Sequence, residues 1–167
     1  MSRTAADPAA VRRAVSAALE EDLGAAGDVT TRATIPPGRR GRATFVAREP
    51  MTVAGLAVAA EVLHRVDPGV TVRTLVEDGD RVGAGTIVLE AVGEARALLE
   101  AERTALNFLQ RMSGIATATR AAVDEVRGTS ATVLTPARPP RAFALSTSTR
   151  SPSVAGSTTG WASTTPS

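Results

Sequence analysis

The segment ALLEAERTALNFLQRM, residues 97–112, gathers polar side chains that could bind a charged small molecule. With about 3.6 residues per turn, one side of a helix here carries Glu100, Arg103, Asn107, Gln110 and Arg111. Arg103 has a planar fork that pairs with a carboxylate through two hydrogen bonds. From residue types alone, a solvated helix face is the favoured interpretation. The alternative is that Arg103 and its neighbours face an anionic ligand.

The opposite side of the same helix is apolar, which predicts that it packs on a core. Its members are Leu98, Leu99, Ala105, Leu106, Phe108, Leu109 and Met112. Glu102 lies within this stripe. Because a buried carboxylate is costly unless it is paired, we expect Glu102 to have a partner or to lie at a subunit contact.

Two other polar features favour structural interpretations. His64 lies off the apolar stripe at the end of its predicted helix, and the sequence contains no second histidine, so we expect a structural or surface role. The segment GDVTT, with Asp28, Thr30 and Thr31, is typical of a turn or a helix cap.

Apolar spacing along the chain predicts a mixed α/β fold, with Asp7 as the cap of the first helix. The predicted order is a helix over 8–23, a loop over 28–40, a strand over 41–49, a helix over 55–66, strands over 70–76 and 86–92, a helix over 95–126 that breaks at Ser113-Gly114, and a strand that starts at 131–134.

Composition excludes several kinds of chemistry. The 167 residues include no Cys, Lys or Tyr and only one His. There is consequently no thiolate nucleophile, Schiff-base lysine, iron–sulfur site or cluster of histidine ligands.

The distribution of charge argues against a nucleic-acid partner. Residues 1–134 hold 16 Arg and all 17 acidic residues, whereas 135–167 hold three Arg and no acid. The body is therefore nearly neutral and has no dense basic stripe. No apolar run approaches the roughly 18–20 residues of a membrane span, and no secretory signal is evident, so we expect a cytoplasmic protein.

Four segments in order resemble the N-terminal half of the quinolinate phosphoribosyltransferases, also called nicotinate-nucleotide pyrophosphorylases. The segments are EEDLGAAGDVTT (20–31), AREPMTVAGL (47–56), VEDGDRVGAG (76–85) and AERTALNFLQRMSGIAT (101–117). The last is highly specific, and the resemblance covers roughly residues 10–134.

The resemblance implies an N-terminal α/β sandwich and a C-terminal α/β barrel. It divides this chain into the sandwich domain (1–112), a connecting helix with the first barrel strand (113–134) and a disordered tail (135–167). The family makes nicotinate mononucleotide, pyrophosphate and CO₂ from quinolinate and phosphoribosyl pyrophosphate with Mg²⁺, for NAD synthesis, as dimers or hexamers. Arg103 matches the Arg that reaches quinolinate carboxylates in the neighbouring subunit's barrel.

The barrel motifs of the family are missing, so we expect no turnover by this chain alone. Two alternatives stay open. One is a related fold member with another substrate, such as the homologues linked to molybdenum transport. The other is a non-catalytic interaction module that binds an anionic partner through its basic tail, at Arg138, Arg141 and Arg150.

The tail differs abruptly from the rest of the sequence, since 13 of residues 146–167 are Ser or Thr. Such a composition predicts disorder. If residues 135–167 are written in GC-rich codons and read after one inserted base, they give DTRKTTPGLRALDKYAV and then GGGVNHR, which match the missing barrel motifs. We therefore predict a frameshift just after Leu134; a natural Ser/Thr-rich tail is the alternative.

Sequencing the gene across codons 134 and 135 from independent template tests this prediction. We expect one extra base, which would restore the barrel motifs together with Lys and Tyr. An unchanged reading frame, combined with a folded tail, would contradict the prediction.

Overall fold

The computed structural model describes residues 7–24, 27–131 and 133. Its helices and strands follow in the order α1 (Pro8–Leu23), α2 (Val29–Thr34), β1 (Arg40–Val46), β2 (Met51–Thr52), α3 (Leu56–Val66), β3 (Thr71–Thr74), β4 (Arg81–Val82), β5 (Ile87–Glu94) and α4 (Ala95–Glu125). The predicted mixture of helices and strands is confirmed.

The strands form one antiparallel three-stranded sheet, in the order β1-β5-β3, and a short β2-β4 ribbon. Phe45 lies opposite Leu89 and Ala43 lies opposite Ala91, and all four side chains are buried. This face of the sheet joins α1, α3 and α4 in one core, because alternate residues of a strand point to the same side.

Local capping explains where α1 begins and ends. The Asp7 carboxylate accepts hydrogen bonds from the backbone N–H groups of Ala9 and Ala10, as the sequence predicts. The helix stops at Gly24, which adopts a positive φ of 54°.

The predicted loop over 28–40 is wrong in part, because residues 29–34 form the short helix α2. Asp28 caps this helix by accepting a hydrogen bond from the backbone N–H of Thr31 at 2.9 Å. The interpretation of GDVTT as a helix cap is therefore confirmed, but one turn and a half of helix is too short to show a clear apolar period.

The turn between β3 and β4 positions α3. The Asp78 carboxylate accepts a hydrogen bond from the backbone N–H of Leu56, the first residue of α3. Gly55 precedes it with a φ of 98°, and a Cβ atom there would lie 2.7 Å from Met112 Sδ. Only glycine fits this position without a shift of the α4 side chain.

The predicted break of the long helix at Ser113-Gly114 is wrong, since α4 continues to Glu125. The buried Ser113 hydroxyl accepts from Ala54 N–H at 3.0 Å and donates to Ala54 C=O at 3.2 Å. One turn later, Thr117 Oγ1 accepts from Thr52 N–H at 2.8 Å. These side chains satisfy the backbone of residues 52–54, so this part of α4 is held by tertiary contacts.

Two predicted features fall wholly or partly on residues that the structure does not describe. Residues 132 and 134 of the predicted barrel strand, and the whole of the tail 135–167, are not among the described residues. Within the described ranges, no helix is both long and apolar enough to cross a bilayer.

We predict that Ser113→Ala lowers the free energy of unfolding by about 1–3 kcal/mol, because it leaves the half-buried backbone N–H and C=O of Ala54 without their partner. Urea denaturation followed by circular dichroism measures the change. Ser130→Ala, at an exposed serine, is the matched control and should leave the unfolding free energy nearly unchanged. Equal effects of the two substitutions would show that the Ser113 hydroxyl does not hold residues 52–54.

Candidate functional site

A surface depression of about 650 Å³ lies where the end of α1 and the start of α2 meet α4. Its lining residues are Asp22, Leu23, Gly27, Asp28, Val29, Thr30, Leu99, Glu100, Glu102, Arg103, Leu106, Asn107 and Gln110. Most of the polar side chains that the sequence predicts for a ligand face are thus brought together here.

Arg103 projects from α4 at this depression, and 79% of its side chain is exposed. Its Nη1 atom lies 3.6 Å from Oδ1 of Asp22, at the end of α1. The other oxygen of the same carboxylate, Oδ2, accepts a hydrogen bond of 2.7 Å from the hydroxyl of Thr104. Thr104 is itself buried, so Asp22 joins α1 to α4 beside the exposed guanidinium.

The wall of the depression carries more negative than positive charge. Among the described residues, four carboxylates line it, and Arg103 is the only lining residue with a positive charge. Outside the lining, Arg32 lies 3.6 Å from Glu100. A dianion would meet net repulsion at this wall, so an anion site around Arg103 needs further cations that the wall does not supply.

Asp28 shapes the α2 side of the depression. The Thr31 hydroxyl donates to Asp28 Oδ2, and the Thr31 backbone N–H donates to Oδ1. These two hydrogen bonds, the hydroxyl first, lower the pKa of Asp28 from its ordinary value of 3.8. Arg96 of α4 donates to the backbone carbonyls of Ile35 and Arg32, which anchors α2 against α4.

Several sequence predictions can now be placed. Glu102 is half-buried and engaged in an interaction, which agrees with the expectation that it needs a partner. Arg111 is exposed and does not line the depression. His64 lies exposed on α3, away from these residues, as expected for a surface histidine.

Sequence reasoning missed Asp22 and Thr104 as parts of the site. Asp22 lies within the EEDLG segment that carries part of the resemblance. Its hydrogen bond with Thr104 joins residues 82 positions apart, and no local sequence pattern reveals such a contact. The one available signal was the run of three acidic residues in the last turn of α1, Glu20, Glu21 and Asp22, where the helix dipole disfavours negative charge.

Comparison with known proteins identifies the family of this chain. Residues 28–113, just over half of the chain, match the family described as quinolinate phosphoribosyl transferase, N-terminal domain. The chain belongs to the quinolinate phosphoribosyl transferase family. The matched domain contains α2, the sheet and the part of α4 that carries Arg103.

Relatives within the family support the assignment at the level of sequence. The chain is 47% identical over 126 residues to the nicotinate-nucleotide pyrophosphorylase [carboxylating] of Mycobacterium leprae, an overlap of 74% of this chain and 44% of that protein. It is 44% identical over 110 residues to quinolinate phosphoribosyltransferase [decarboxylating] 1b of Nicotiana tabacum, which is 66% of this chain and 31% of that protein.

Solved structures of the family share the fold of the described residues. NadC from Streptococcus pyogenes matches with a TM-score of 0.71 and 37% identity, over 74% of this chain and 44% of that one. The nicotinate-nucleotide pyrophosphorylase from Francisella tularensis matches with a TM-score of 0.69 and 34% identity, over 73% and 43% respectively. The chain thus spans less than half the length of these family members.

The lowered pKa of Asp28 predicts a pH-dependent contribution to stability. A carboxylate whose pKa is depressed in the folded state stabilises the fold above its unfolded pKa, and this contribution is lost as the pH falls through the folded pKa. We expect wild type to exceed Asp28→Asn in unfolding free energy near neutral pH. Because Asn caps a helix without titrating, the difference should shrink below about pH 4.

Urea denaturation of both proteins between pH 3 and pH 7 measures this difference. Glu49→Gln, at an exposed carboxylate outside the depression, is the control for general loss of charge. A difference between wild type and Asp28→Asn that does not change with pH would contradict the role given to the Thr31 hydrogen bonds.

Proposed function

We propose that this chain supplies the N-terminal domain of an enzyme that transfers a phosphoribosyl group to quinolinate. Phosphoribosyl pyrophosphate is the donor, and the products are nicotinate mononucleotide, pyrophosphate and CO₂, a step of NAD synthesis. Family membership and the names of the relatives from Mycobacterium leprae and Nicotiana tabacum support this proposal.

The role of this chain's own residues centres on Arg103, and its position carries the proposal. The guanidinium is exposed at a wall rich in carboxylates, where it cannot hold a dianion unaided. Such an arrangement suits a site that is completed by cations from another subunit. The resemblance supplies the same arrangement, since the family Arg matching Arg103 reaches the barrel of the neighbouring subunit.

In this proposal Arg103 binds a carboxylate of the substrate and orients it. Nη1 faces Asp22, while Nε and Nη2 make no hydrogen bond to another described residue. That free edge of the guanidinium matches the two oxygens of a carboxylate, which it can hold through parallel hydrogen bonds. Fixing quinolinate in this way presents its ring to the phosphoribosyl donor in one orientation.

Mg²⁺ and the assembly state are further parts of the proposal. Among the described residues, no group of three or more acidic or imidazole side chains is placed to hold a metal ion. No step attributed to this chain depends on the ion, and Mg²⁺ stays a prediction from the resemblance. Homodimeric or hexameric assembly and a cytoplasmic location likewise stay predictions.

A chimera tests the role of Arg103 in a complete active site. The 126-residue segment of the Mycobacterium leprae relative that aligns with this chain is replaced by the corresponding residues of this chain. In a steady-state assay with quinolinate, phosphoribosyl pyrophosphate and Mg²⁺, we expect Arg103→Ala to lower kcat/KM for quinolinate by about 10- to 100-fold, through loss of charge-assisted hydrogen bonds.

Arg120→Ala is the matched control, because Arg120 is an exposed arginine on the same helix and does not line the depression. Its kinetic constants should equal those of the unsubstituted chimera. Arg103→Lys should retain part of the activity, since lysine keeps the charge but lacks the fork. If Arg103→Ala leaves kcat/KM for quinolinate unchanged, Arg103 does not bind this substrate.

A further inference from the structure

The carboxylate of Asp22 divides its two oxygens between an internal and an external partner. Oδ2 accepts the 2.7 Å hydrogen bond from Thr104, whose side chain is buried. Oδ1 lies 3.6 Å from Nη1 of Arg103. Only 19% of the Asp22 side chain is exposed, against 79% of the arginine. One end of this chain of contacts is therefore set in the core, and the other end reaches the surface.

We propose that Asp22 is a positioning residue that, held by Thr104, orients the guanidinium of Arg103 for an incoming carboxylate. The inference rests on the proposed function, in which Arg103 binds the substrate. Pairing at Nη1 leaves the edge formed by Nε and Nη2 for the ligand. An arginine that is already oriented loses less side-chain freedom when it binds, so affinity for the anion increases.

Two of the other three carboxylates at the depression pair with groups other than Arg103. Glu100 lies 3.6 Å from Arg32, and Asp28 caps α2 through Thr31. Among the described residues, Asp22 is the acid within ion-pair distance of Arg103.

The position of Asp22 in α1 also favours a role outside its own helix. It lies with Glu20 and Glu21 in the last turn, where the negative end of the helix dipole opposes a carboxylate, and of these three acids Asp22 is the one that is not exposed. Asp22 is therefore poorly placed to stabilise α1 itself. The compensating contacts are the two that it makes with α4, at Thr104 and Arg103.

Chemical labelling of the 167-residue chain tests the orientation directly. Phenylglyoxal modifies exposed guanidinium groups, and peptide mass spectrometry gives the rate at each arginine. We expect Asp22→Asn and Thr104→Val each to raise the modification rate of Arg103 by about 2- to 5-fold, the range that an exposed ion pair supports. The rate at Arg120, on the same helix, should not change.

Two variants serve as matched controls. Glu21→Gln removes a negative charge at the exposed neighbour of Asp22, and Thr104→Ser keeps the hydroxyl that Thr104→Val removes. Both should label at Arg103 as wild type does. Because Thr104→Val retains the side-chain volume, it tests whether the Thr104–Asp22 contact orients Arg103 even if Asp22→Asn fails to fold. Unchanged labelling of Arg103 in Thr104→Val, or an equal increase at Arg103 and Arg120, would overturn the proposal.

The chimera separates this proposal from the proposed function. There we expect Asp22→Asn to raise KM for quinolinate by about 2- to 5-fold and to leave KM for phosphoribosyl pyrophosphate unchanged. If Arg103→Ala has no effect on quinolinate, the proposed function fails whatever the labelling shows. If Arg103→Ala is impaired while Asp22→Asn changes neither labelling nor KM, only the positioning role fails.

Discussion

Burial of one side of α4 is the interaction on which the rest of this domain depends. The helix packs against the sheet, α1 and α3 through a stripe that includes Leu98, Ala101, Ala105 and Leu109, all of them buried. Two of these are alanines, whose small side chains let the sheet and α3 approach the helix closely. Removal of this apolar surface from water stabilises the fold and fixes the rotation of α4 about its own axis.

That rotation also determines which side chains remain at the surface. With one side of α4 in the core, Arg103 and Asn107 are turned outward toward the ends of α1 and α2. A packed helix is a rigid support, so the outward side chains of α4 take their geometry from the core behind them. The candidate site and the core therefore lie on opposite sides of α4.

The outer face of α4 lies beside a depression whose lining carries mostly negative charge. Carboxylates from α1, from the cap of α2 and from α4 surround one guanidinium among the described lining residues, and Asp28 and Glu100 have structural partners. The same acids that hold α2 and α1 against α4 weaken the attraction of Arg103 for a free anion. In the proposed enzyme, a site for quinolinate at this wall would need cations from outside the described residues to overcome this repulsion.

Features that depend on short stretches of chain were determined by the sequence alone. Asp7 and the apolar period between Pro8 and Leu23 predicted α1 with its correct bounds, because a capping hydrogen bond and helical spacing are local. The same spacing placed Arg103 on the side of α4 opposite Leu98 and Leu109, and the motifs of that helix identified the family.

Only the tertiary structure decided the features that join distant segments. Serine and glycine at 113–114 favour a local break, yet α4 continues because Ser113 bonds the backbone of Ala54, 59 residues away. The contact of Asp22 with Thr104 crosses 82 residues and is likewise invisible to local spacing. Packing of whole elements brings such pairs together, and its free energy exceeds the small local preferences that a sequence pattern reports.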